Sequence, residues 1–337
     1  MKVLVCGGAG YIGSCLVREL VRGGVHSVVV ADSLEATKGY SKHLPLDKIA
    51  LETGDVRDEA FVDKVFSTHK PNAVVHMCGS IVVPESCKDP LKYYDNNVVG
   101  AMRVAQAMRK YDCKYFVFSS TAALFGTPKD TSAPIKPDDA IQPESPYGDS
   151  KFITEMMMKS CDAAYGMKYV CLRYFNACGA HPDGDLGETH DPETHLIPIV
   201  LQVPLGKRAH VMMNGTDYPT ADGTCVRDYV HIVDLATAHI QALDYLAAGG
   251  KSDVFNLGTG HGYSVRQVVE VARKVTGHPI PAIEAERRPG DPPCLVASPD
   301  KAKEILKWTP KFDTLESIIE TAWKFHSAYP NGYLPKQ

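Results

Sequence analysis

A tyrosine and a lysine four residues apart are the first candidates for chemistry in this sequence. Of the sixteen tyrosines, only Tyr147 is followed by a lysine at that spacing, Lys151. On an α-helix this spacing places both side chains on one face. A phenol with a pKa of about 10 is a poor base at neutral pH, but a neighbouring ammonium and the positive end of a helix would each favour the phenolate. We therefore predict that Tyr147 takes a proton from a substrate hydroxyl.

A glycine-rich turn near residue 10 could cradle phosphate groups. Gly7, Gly10 and Gly13 follow an apolar run at 2–6 and open a segment with helical spacing at 11–23. Glycines permit a sharp turn and the close approach of a pyrophosphate, and the free N–H groups of the following helix favour its charge. Strand, turn and helix together predict a dinucleotide-binding site.

A carboxylate nineteen residues beyond Gly13 indicates which dinucleotide binds. Asp32 ends a second apolar run, at 28–31, where a carboxylate can hold the adenosine ribose hydroxyls. Because Asp32 would repel a ribose 2′-phosphate and no arginine follows it closely, NAD is predicted rather than NADP. Its nicotinamide cation would further favour the Tyr147 phenolate and accept hydride. Asp55 lies where a third-strand loop could reach the adenine, or it is a solvated loop carboxylate.

A hydroxyl and a helix start complete the candidate catalytic set. Ser119-Ser120-Thr121 ends another apolar run, and Thr121 could bridge the reacting oxygen and the phenol, or it is a turn residue. Ser145 is suited to cap a helix that has Pro146 at its first position. We therefore expect Tyr147 in the first turn of that helix.

Short apolar runs alternate with helical spacing along the first half of the chain. Continuously apolar strands of this kind are typical of a parallel sheet buried on both faces. The prediction is an α/β fold, a Rossmann-type doubly wound sheet with a smaller, discontinuous α/β substrate domain. Predicted strands lie at 2–6, 28–30, 73–76, 115–119, 169–173 and 253–257, and predicted helices at 11–23, 59–68, 93–110, from 146, at 231–246 and at 264–276.

Between 178 and 228, Gly, Pro and Asp clusters interrupt any periodicity, which predicts long binding loops. The predicted NAD-binding domain is 1–177 plus 229–257. The predicted substrate domain combines 178–228 with 258–337.

Composition excludes several classes of protein. The 337 residues carry 40 acidic and 36 basic side chains, a formal charge of -4, so no basic face for a nucleic acid is expected. The longest apolar runs are strand-sized, which excludes membrane insertion.

Residues 1–7 are interpreted as a strand rather than a secretory signal, and the ten cysteines form no CxxC pair, so a reduced cytoplasmic protein is expected. His190 and His195 are five apart, off a common helical face, so no metal is predicted.

Seven blocks of sequence carry a resemblance to a known family. They are VLVCGGAGYIGS at 3–14, PLKYYDNNVVG at 90–100, SPYGDSK at 145–151, LRYFNACGAHPDGDLGE at 172–188, DYPTADGTCVRDYVH at 217–231, FNLGTG at 255–260 and RRPGD at 287–291. With these blocks the chain resembles the extended short-chain dehydrogenases/reductases, and within them the UDP-sugar 4-epimerases. The resemblance implies NAD-dependent interconversion of UDP-galactose and UDP-glucose by inversion at C4′ through a transient 4-keto sugar, and a homodimer.

The resemblance also implies roles for individual residues. Thr121, Tyr147 and Lys151 form the catalytic set, and Lys151 also reaches the nicotinamide ribose. The implied NAD contacts are Gly7, Gly10, Tyr11, Ile12, Gly13, Asp32, Asp55, Val56, Met77, Cys78, Asn97, Lys151 and Tyr174. The implied substrate contacts are Thr121, Tyr147, Asn176, Leu196, Arg227, Arg288 and Asp291.

Departures from the family pattern leave the substrate open. Ile81 replaces a lysine that contacts the cofactor, Phe125 replaces a tyrosine near the sugar, and Leu295 stands where bulk decides whether N-acetylated sugars fit. Epimerisation of UDP-N-acetylhexosamines, UDP-pentoses or UDP-uronates, and a nucleotide-sugar dehydratase or decarboxylase, are the alternatives. Dehydratases that resemble this chain carry an Asp-Glu pair directly after the threonine. In this sequence Ala122 and Ala123 follow Thr121, which disfavours a dehydratase. A binding protein that has lost activity is a further alternative, disfavoured by the intact Thr121, Tyr147 and Lys151.

Overall fold

Seven parallel strands form the central sheet of the computed structural model, which describes residues 1–35, 39–128, 130–288 and 291–333. Their side chains are apolar and largely buried because helices cover both faces. In chain order the strands of the protein are β1 (Lys2–Cys6), β2 (Ser27–Asp32), β3 (Ile49–Thr53), β4 (Ala73–His76), β5 (Tyr115–Thr121), β6 (Lys168–Tyr174), β7 (Asn176–Cys178), β8 (Val211–Asn214), β9 (Val226–His231), β10 (Asp253–Leu257), β11 (Gly262–Ser264), β12 (Ala282–Ala285) and β13 (Cys294–Leu295).

Helices connect most of these strands. In chain order they are α1 (Tyr11–Gly23), α2 (Glu59–His69), α3 (Val83–Lys88), α4 (Pro90–Tyr93), α5 (Gly100–Lys110), α6 (Pro146–Tyr165), α7 (Leu196–Leu201), α8 (Ile232–Ala247), α9 (Val265–Thr276) and α10 (Leu315–Ala328). None of them, within the described ranges, is both long enough and apolar enough to span a bilayer.

The strand order across the central sheet is β10-β6-β5-β4-β1-β2-β3. The order reverses beside β1, so the crevice at the carboxyl ends of β1 and β4 is the position at which doubly wound sheets bind ligands. β10 adds to the edge of β6 in parallel, although it comes about 80 residues later in the chain. The predicted doubly wound α/β fold is confirmed.

Two smaller sheets lie beyond the central one. β9 pairs with β7, β11 and β13, and β8 pairs with β12. Leu315, Ile318 and Ile319 of α10 pack with Val268 and Val269 of α9 in a separate apolar cluster. This second region therefore has a core of its own.

Two of the predicted segments differ from what the structure shows. The helix expected at 93–110 is divided into α4, a π-helical segment (Tyr94–Val99) and α5. Pro90 starts α4, and the buried side chain of Asn97 is held by tertiary hydrogen bonds that helical periodicity does not reveal. The long loops expected at 178–228 contain α7 and β8, elements of six and four residues, which are too short to establish a period.

The start of α6 follows the prediction. The Ser145 hydroxyl accepts a hydrogen bond from the Gly148 N–H at 3.2 Å, and Pro146 occupies the first helical position. Tyr147 therefore lies in the first turn, one turn before Lys151.

A buried ion pair anchors α6 to the sheet. Glu155 of α6 accepts hydrogen bonds from the Arg173 guanidinium of β6 at 2.6–3.2 Å, and both side chains are about 95% buried. Glu155 also accepts from the Ser120 hydroxyl of β5, and Arg173 donates to the Pro137 carbonyl. Because each charge is hydrogen-bonded, the pair is tolerated in the interior.

We expect Arg173→Met to lower the free energy of unfolding by about 3–5 kcal/mol, because it leaves the Glu155 carboxylate buried without its cation. Urea denaturation measures the change, and the double variant Glu155→Met/Arg173→Met should recover most of it. The control is Lys110→Met, which removes an exposed ion pair with Asp63 and should cost less than about 1 kcal/mol. An Arg173→Met variant as stable as the wild type would contradict this account of the anchor.

Candidate active site

Close backbone packing explains the glycine-rich turn between β1 and α1. Gly7 has a φ of 82°, and a Cβ there would lie 2.6 Å from the Cys78 nitrogen. At Gly13 a Cβ would lie 2.1 Å from the Gly7 carbonyl oxygen. Within the described residues no side chain caps α1 at Gly10, so the first N–H groups of that helix remain available to a ligand. This geometry fits the pyrophosphate of a dinucleotide.

Asp32 lies beside this turn at the carboxyl end of β2. Its carboxylate accepts hydrogen bonds from the N–H groups of Ala9 and Leu34, each at 2.9 Å. Burial raises the pKa of Asp32, and the two N–H groups partly oppose that effect. The carboxylate is thus held in a fixed orientation at the turn, as binding of ribose hydroxyls requires.

The next two strands add further predicted cofactor residues. Asp55, after β3, accepts hydrogen bonds from the Arg57 side chain, which lower its pKa, so it has an ion-pair partner that the sequence analysis did not name. Val56 is buried beneath the Gly100 backbone. Met77 and Cys78, after β4, both donate backbone N–H groups to the Cys6 carbonyl, at 2.9 and 3.1 Å. The ends of β1 and β4 are thereby joined.

Asn97 connects the loop after β4 to α6. Its side-chain oxygen accepts from the Ser80 N–H at 2.7 Å, and its amide donates to the Ser150 hydroxyl at 2.9 Å. Asn97 is almost fully buried, and Gly79 lies directly against it. The residue therefore positions the backbone around the predicted nicotinamide site, whether or not it touches the cofactor.

The three predicted catalytic residues converge at the carboxyl end of β5. The Lys151 ammonium donates to the Ser119 carbonyl at 3.1 Å and lies 6.0 Å from the centre of the Tyr147 ring. The Thr121 hydroxyl lies beside the Tyr147 hydroxyl and lowers the pKa of Tyr147. Tyr174 of β6 stands opposite Thr121 in the strand register. A proton donor or acceptor, a bridging hydroxyl and a cation thus share one site.

The electrostatics of this site differ from the sequence prediction. Burial raises the pKa of Tyr147, and the neighbouring Thr121 hydroxyl lowers it by less. The expected depression by Lys151 is absent among the described interactions, because its ammonium is directed at the Ser119 carbonyl and lies over the Phe118 ring. Tyr147 is therefore a neutral phenol at neutral pH, and the positive charge of a bound cofactor would favour its phenolate.

Burial also affects the lysine. It lowers the pKa of Lys151 from 10.5 to about 8, because the charged form loses hydration. Half of the ammonium charge is therefore lost near pH 8 in the protein alone.

The predicted substrate residues lie on the smaller sheets. Arg227 of β9 forms an ion pair with Asp291, and Leu295 of β13 is its neighbour across the strands. The Asn176 amide of β7 donates to the Asp228 carbonyl of β9 at 2.8 Å. Arg227, Asp291 and Asn176 are thus grouped around β9.

Two predicted substrate residues lie on neighbouring elements. Leu196 begins α7 and packs with Met213 and Cys225. The exposed Arg288 guanidinium faces the Asn214 side chain, whose oxygen lies 3.0 Å from Nη2 when the amide is oriented to accept. Arg287, the first residue of the RRPGD block, donates instead to the Asp217 carboxylate at 2.7 Å.

Sequence analysis missed a buried carboxylate beside Arg227. Asp228 accepts hydrogen bonds from the Thr259 N–H and hydroxyl at 2.8 Å, and from the N–H groups of Gly260 and Ala297 at 3.1 Å. It ties β9 to the loop after β10 and to the segment after β13. A carboxylate directly after Arg227, between it and the apolar residues Tyr229 and Val230 of the strand, was the available signal.

We expect Lys151→Met to stabilise the protein without cofactor at pH 7, by about 1–3 kcal/mol, since it removes a buried charge. The folded-state pKa of Lys151 is below its unfolded value, so the destabilisation by the buried charge is constant below about pH 8 and disappears by about pH 10.5. Thermal melts at pH 7 and pH 10 measure the difference between variant and wild type. Lys159→Met, on the exposed side of the same helix, is the control, and equal stabilisation at both pH values would contradict the assignment.

Comparison with known proteins identifies the family. A family model described as GDP-mannose 4,6 dehydratase matches residues 4–321. The UDP-glucose 4-epimerase of Streptococcus mutans is 51% identical over 334 residues, covering 99% of this chain and 99% of that protein. A solved UDP-glucose 4-epimerase structure matches with a TM-score of 0.95 at 45% identity, covering 99% of this chain and 100% of that one.

A second solved structure, UDP-glucose 4-epimerase from Bifidobacterium longum in complex with NAD+ and UDP, matches with a TM-score of 0.90 at 36% identity. It covers 98% of this chain and 100% of that one. Sequence identity and fold agree over the full length with the resemblance carried by the motifs. The chain belongs to the UDP-glucose 4-epimerase family, within the extended short-chain dehydrogenases/reductases.

Proposed function

We propose that the protein interconverts UDP-galactose and UDP-glucose by inverting C4′ of the hexose, with NAD as its bound cofactor. The observation that carries this proposal is the convergence of Thr121, Tyr147 and Lys151 beside the glycine turn, in a chain of the UDP-glucose 4-epimerase family. A reaction with no net oxidation requires a single site at which the same groups serve both directions.

The residues present fit NAD. The turn at Gly7 and Gly13 has no space for side chains, and the fixed Asp32 carboxylate lies at its edge. Lys151 would contact the nicotinamide ribose, and Asp55, Val56, Met77 and Cys78 would border the adenosine half and the centre. When bound, NAD supplies acceptance and return of the hydride at the sugar carbon.

The protein's own part in the chemistry is proton transfer at the 4′-oxygen. Tyr147 accepts the proton of the 4′-hydroxyl through an arrangement that Thr121 fixes, and returns it after the 4-keto sugar has presented its opposite face. Because Tyr147 is neutral in the protein alone, the cationic nicotinamide would have to shift it toward phenolate. Proton removal is thus coupled to occupancy of the cofactor site.

The predicted substrate residues on and around β9 would anchor UDP. Arg227 and Arg288 offer guanidinium groups for a diphosphate, Asp291 offers an acceptor for ribose, and Asn176 and Leu196 complete the set. Arg227 already pairs with Asp291, so a diphosphate would share the guanidinium with that carboxylate. Charge concentrated on the nucleotide half leaves the hexose free to turn.

Nucleotide-sugar dehydration is the second candidate function for this fold. The matching family model is described as a dehydratase. Elimination across C5′ and C6′ needs an acid and a base after Thr121. Ala122 and Ala123 occupy that place, in a short 3-10 helix whose Ala123 N–H is capped by the Thr121 hydroxyl. Neither can transfer a proton, which favours epimerisation.

Substrate breadth within the epimerases depends on the sugar pocket. Phe125 is buried, with the Arg173 guanidinium 5.4 Å from its ring centre, and Leu295 is half-buried beside Arg227. We assign UDP-hexoses as the main substrates, with N-acetylhexosamine, pentose and uronate forms as the alternatives.

We also propose a division into two domains and a cytoplasmic location. Pairing of β10 with β6 and packing of α8 on α1 support assigning 1–177 plus 229–257 to NAD, and 178–228 plus 258–337 to the UDP-sugar. All ten cysteines are free thiols, which supports a reducing compartment.

A homodimer is proposed through α5 and α6. The two helices pack together and carry exposed apolar side chains, Met102 and Met156, which are 37% and 46% exposed. Leu91 of α4 is 77% exposed nearby in the chain. A second copy would cover this apolar surface, at a low cost in polar desolvation.

We expect the purified protein to convert UDP-galactose into UDP-glucose, and Tyr147→Phe to lower the rate at least about 100-fold while NAD binding is retained. Chromatography of the nucleotide sugars measures conversion, first without and then with added NAD. Tyr165→Phe, at the exposed end of the same helix, is the control and should be fully active. Lack of conversion with NAD present would contradict the proposed function, and UDP-N-acetylhexosamines, UDP-pentoses and UDP-uronates in the same assay define its breadth.

Sedimentation equilibrium should give twice the chain mass of 36.8 kDa. The double variant Met102→Glu/Met156→Glu should sediment as a monomer, because it places charge in the proposed interface. Val25→Glu, at a residue 72% exposed in the turn after α1, is the control and should remain dimeric. A wild-type protein that sediments as a monomer would exclude the dimer.

A further inference from the structure

Two histidines and two glutamates converge in the loop before α7, and none of them is among the proposed cofactor or substrate contacts. They are Glu188, His190, Glu193 and His195, and their ligand atoms all lie within 4.8 Å of one another. We propose that this cluster is a structural site for one divalent transition-metal ion of the Zn²⁺ type. The inference is independent of the epimerase activity.

Distances within the cluster show that the side chains share one centre. The Glu188 Oε1 atom lies 3.0 Å from Nδ1 of His190 and 2.8 Å from Nδ1 of His195. The Glu193 Oε1 atom lies 3.3 Å from Nδ1 of His195, and its Oε2 atom lies 3.9 Å from Nδ1 of His190. Zn–N and Zn–O bonds of about 2.0–2.2 Å in a tetrahedron place ligand atoms about 3.3–3.5 Å apart. Sub-ångström adjustments would therefore admit an ion.

The charges also suit a cation. Glu188 brings its carboxylate against both imidazole rings. Glu188 is only 4% exposed. The ion pairs of Glu188 and Glu193 within the described residues involve imidazoles alone, and imidazoles can exchange a proton for a metal ion.

A second group of similar composition provides a contrast. His181, Asp183 and Asp185 also come within ligand distance of one another. Their carboxylates, however, are paired with guanidinium groups, Arg18 to Asp185 at 2.6 Å and Arg22 to Asp183. Since Arg stays charged at all relevant pH values, a metal ion would have to displace it. Within the described residues, the ion pairs of Glu188 and Glu193 include no guanidinium group.

The donor set selects the type of ion. Imidazole nitrogen suits Zn²⁺ and neighbouring transition metals, whereas Ca²⁺ and Mg²⁺ prefer all-oxygen sites. Four protein ligands favour a structural site rather than a catalytic one. A cavity of about 650 Å³, which these four residues line together with Gln202 and Lys207, supplies an entry path from solvent.

The sequence argument against a metal does not apply to this loop. Five-residue spacing of His190 and His195 separates two side chains on a helix, but residues 188–195 are not helical. The two imidazole rings lie 5.2 Å apart between centres. The irregular loop that contains the pattern E-x-H-x-x-E-x-H therefore brings the two imidazole rings together.

Placement of the site indicates what a bound ion would stabilise. His190 lies edge-on to Tyr11 in the glycine turn, with ring centres 6.3 Å apart, and His195 immediately precedes Leu196 of α7. An ion would fix the loop between these two residues. Its expected effect is on stability and loop order, rather than on the hydride chemistry.

Equilibrium dialysis of chelator-treated protein against Zn²⁺, followed by elemental analysis, tests the site. We expect about one bound Zn²⁺ per chain, and an affinity at least about 100-fold lower for His190→Ala/His195→Ala, which removes two of four ligands. The matched control is His181→Ala, in the contrasting group, which should bind Zn²⁺ as the wild type does. Circular dichroism and NAD binding establish that each variant is folded.

Visible absorption of the Co²⁺-substituted protein provides a second readout, since low-symmetry protein coordination differs from hydrated Co²⁺. We expect the ligand-field bands in the wild type and in His181→Ala, and their loss in the double variant. Binding well below one equivalent, equal affinity in the folded double variant, or binding abolished by His181→Ala would each overturn the proposal.

Discussion

The buried ion pair between Glu155 and Arg173 sets the position of the helix that carries Tyr147 and Lys151. A helix packed on a sheet through apolar side chains alone can slide, because dispersion contacts have little directionality. A guanidinium hydrogen-bonded to a carboxylate fixes both distance and orientation. Ser120 joins the same carboxylate from β5, so the strand that ends in Thr121 is positioned against α6 by the same group.

The remaining parts of the site depend on the parallel sheet. Carboxyl ends of β1, β2, β4, β5 and β6 share one edge, and each contributes a residue to it: the glycine turn, Asp32, Met77, Thr121 and Tyr174. The second region reaches the same edge through β7, which follows β6 after a single residue and pairs with β9. Asp228 then connects β9 to two distant segments. The predicted cofactor residues and the predicted substrate residues are thereby held against each other.

Burial works against both charges of the proposed mechanism. It keeps Tyr147 protonated and lowers the pKa of Lys151, so the protein alone does not hold a reactive phenolate. The burial that disfavours these charges would also strengthen their interaction with a cationic cofactor, since Coulomb energies increase as the dielectric constant falls. The same low dielectric would restrict base chemistry to the loaded protein.

The sequence by itself determined the elements and chemistry that depend on local pattern. Apolar runs and glycine spacing predicted β1, α1 and the doubly wound sheet, and the spacing of Tyr147 and Lys151, with Ser145 and Pro146, predicted the first turn of α6. Tertiary structure decided what depends on contacts between distant residues: the π-helical segment held through Asn97, the pairing of Glu155 with Arg173, and the four hydrogen bonds to Asp228. It also decided the pKa of Tyr147, because burial depends on the whole fold. It brought His190 and His195 together in an irregular loop, whose sequence has no periodic pattern from which the contact could be predicted.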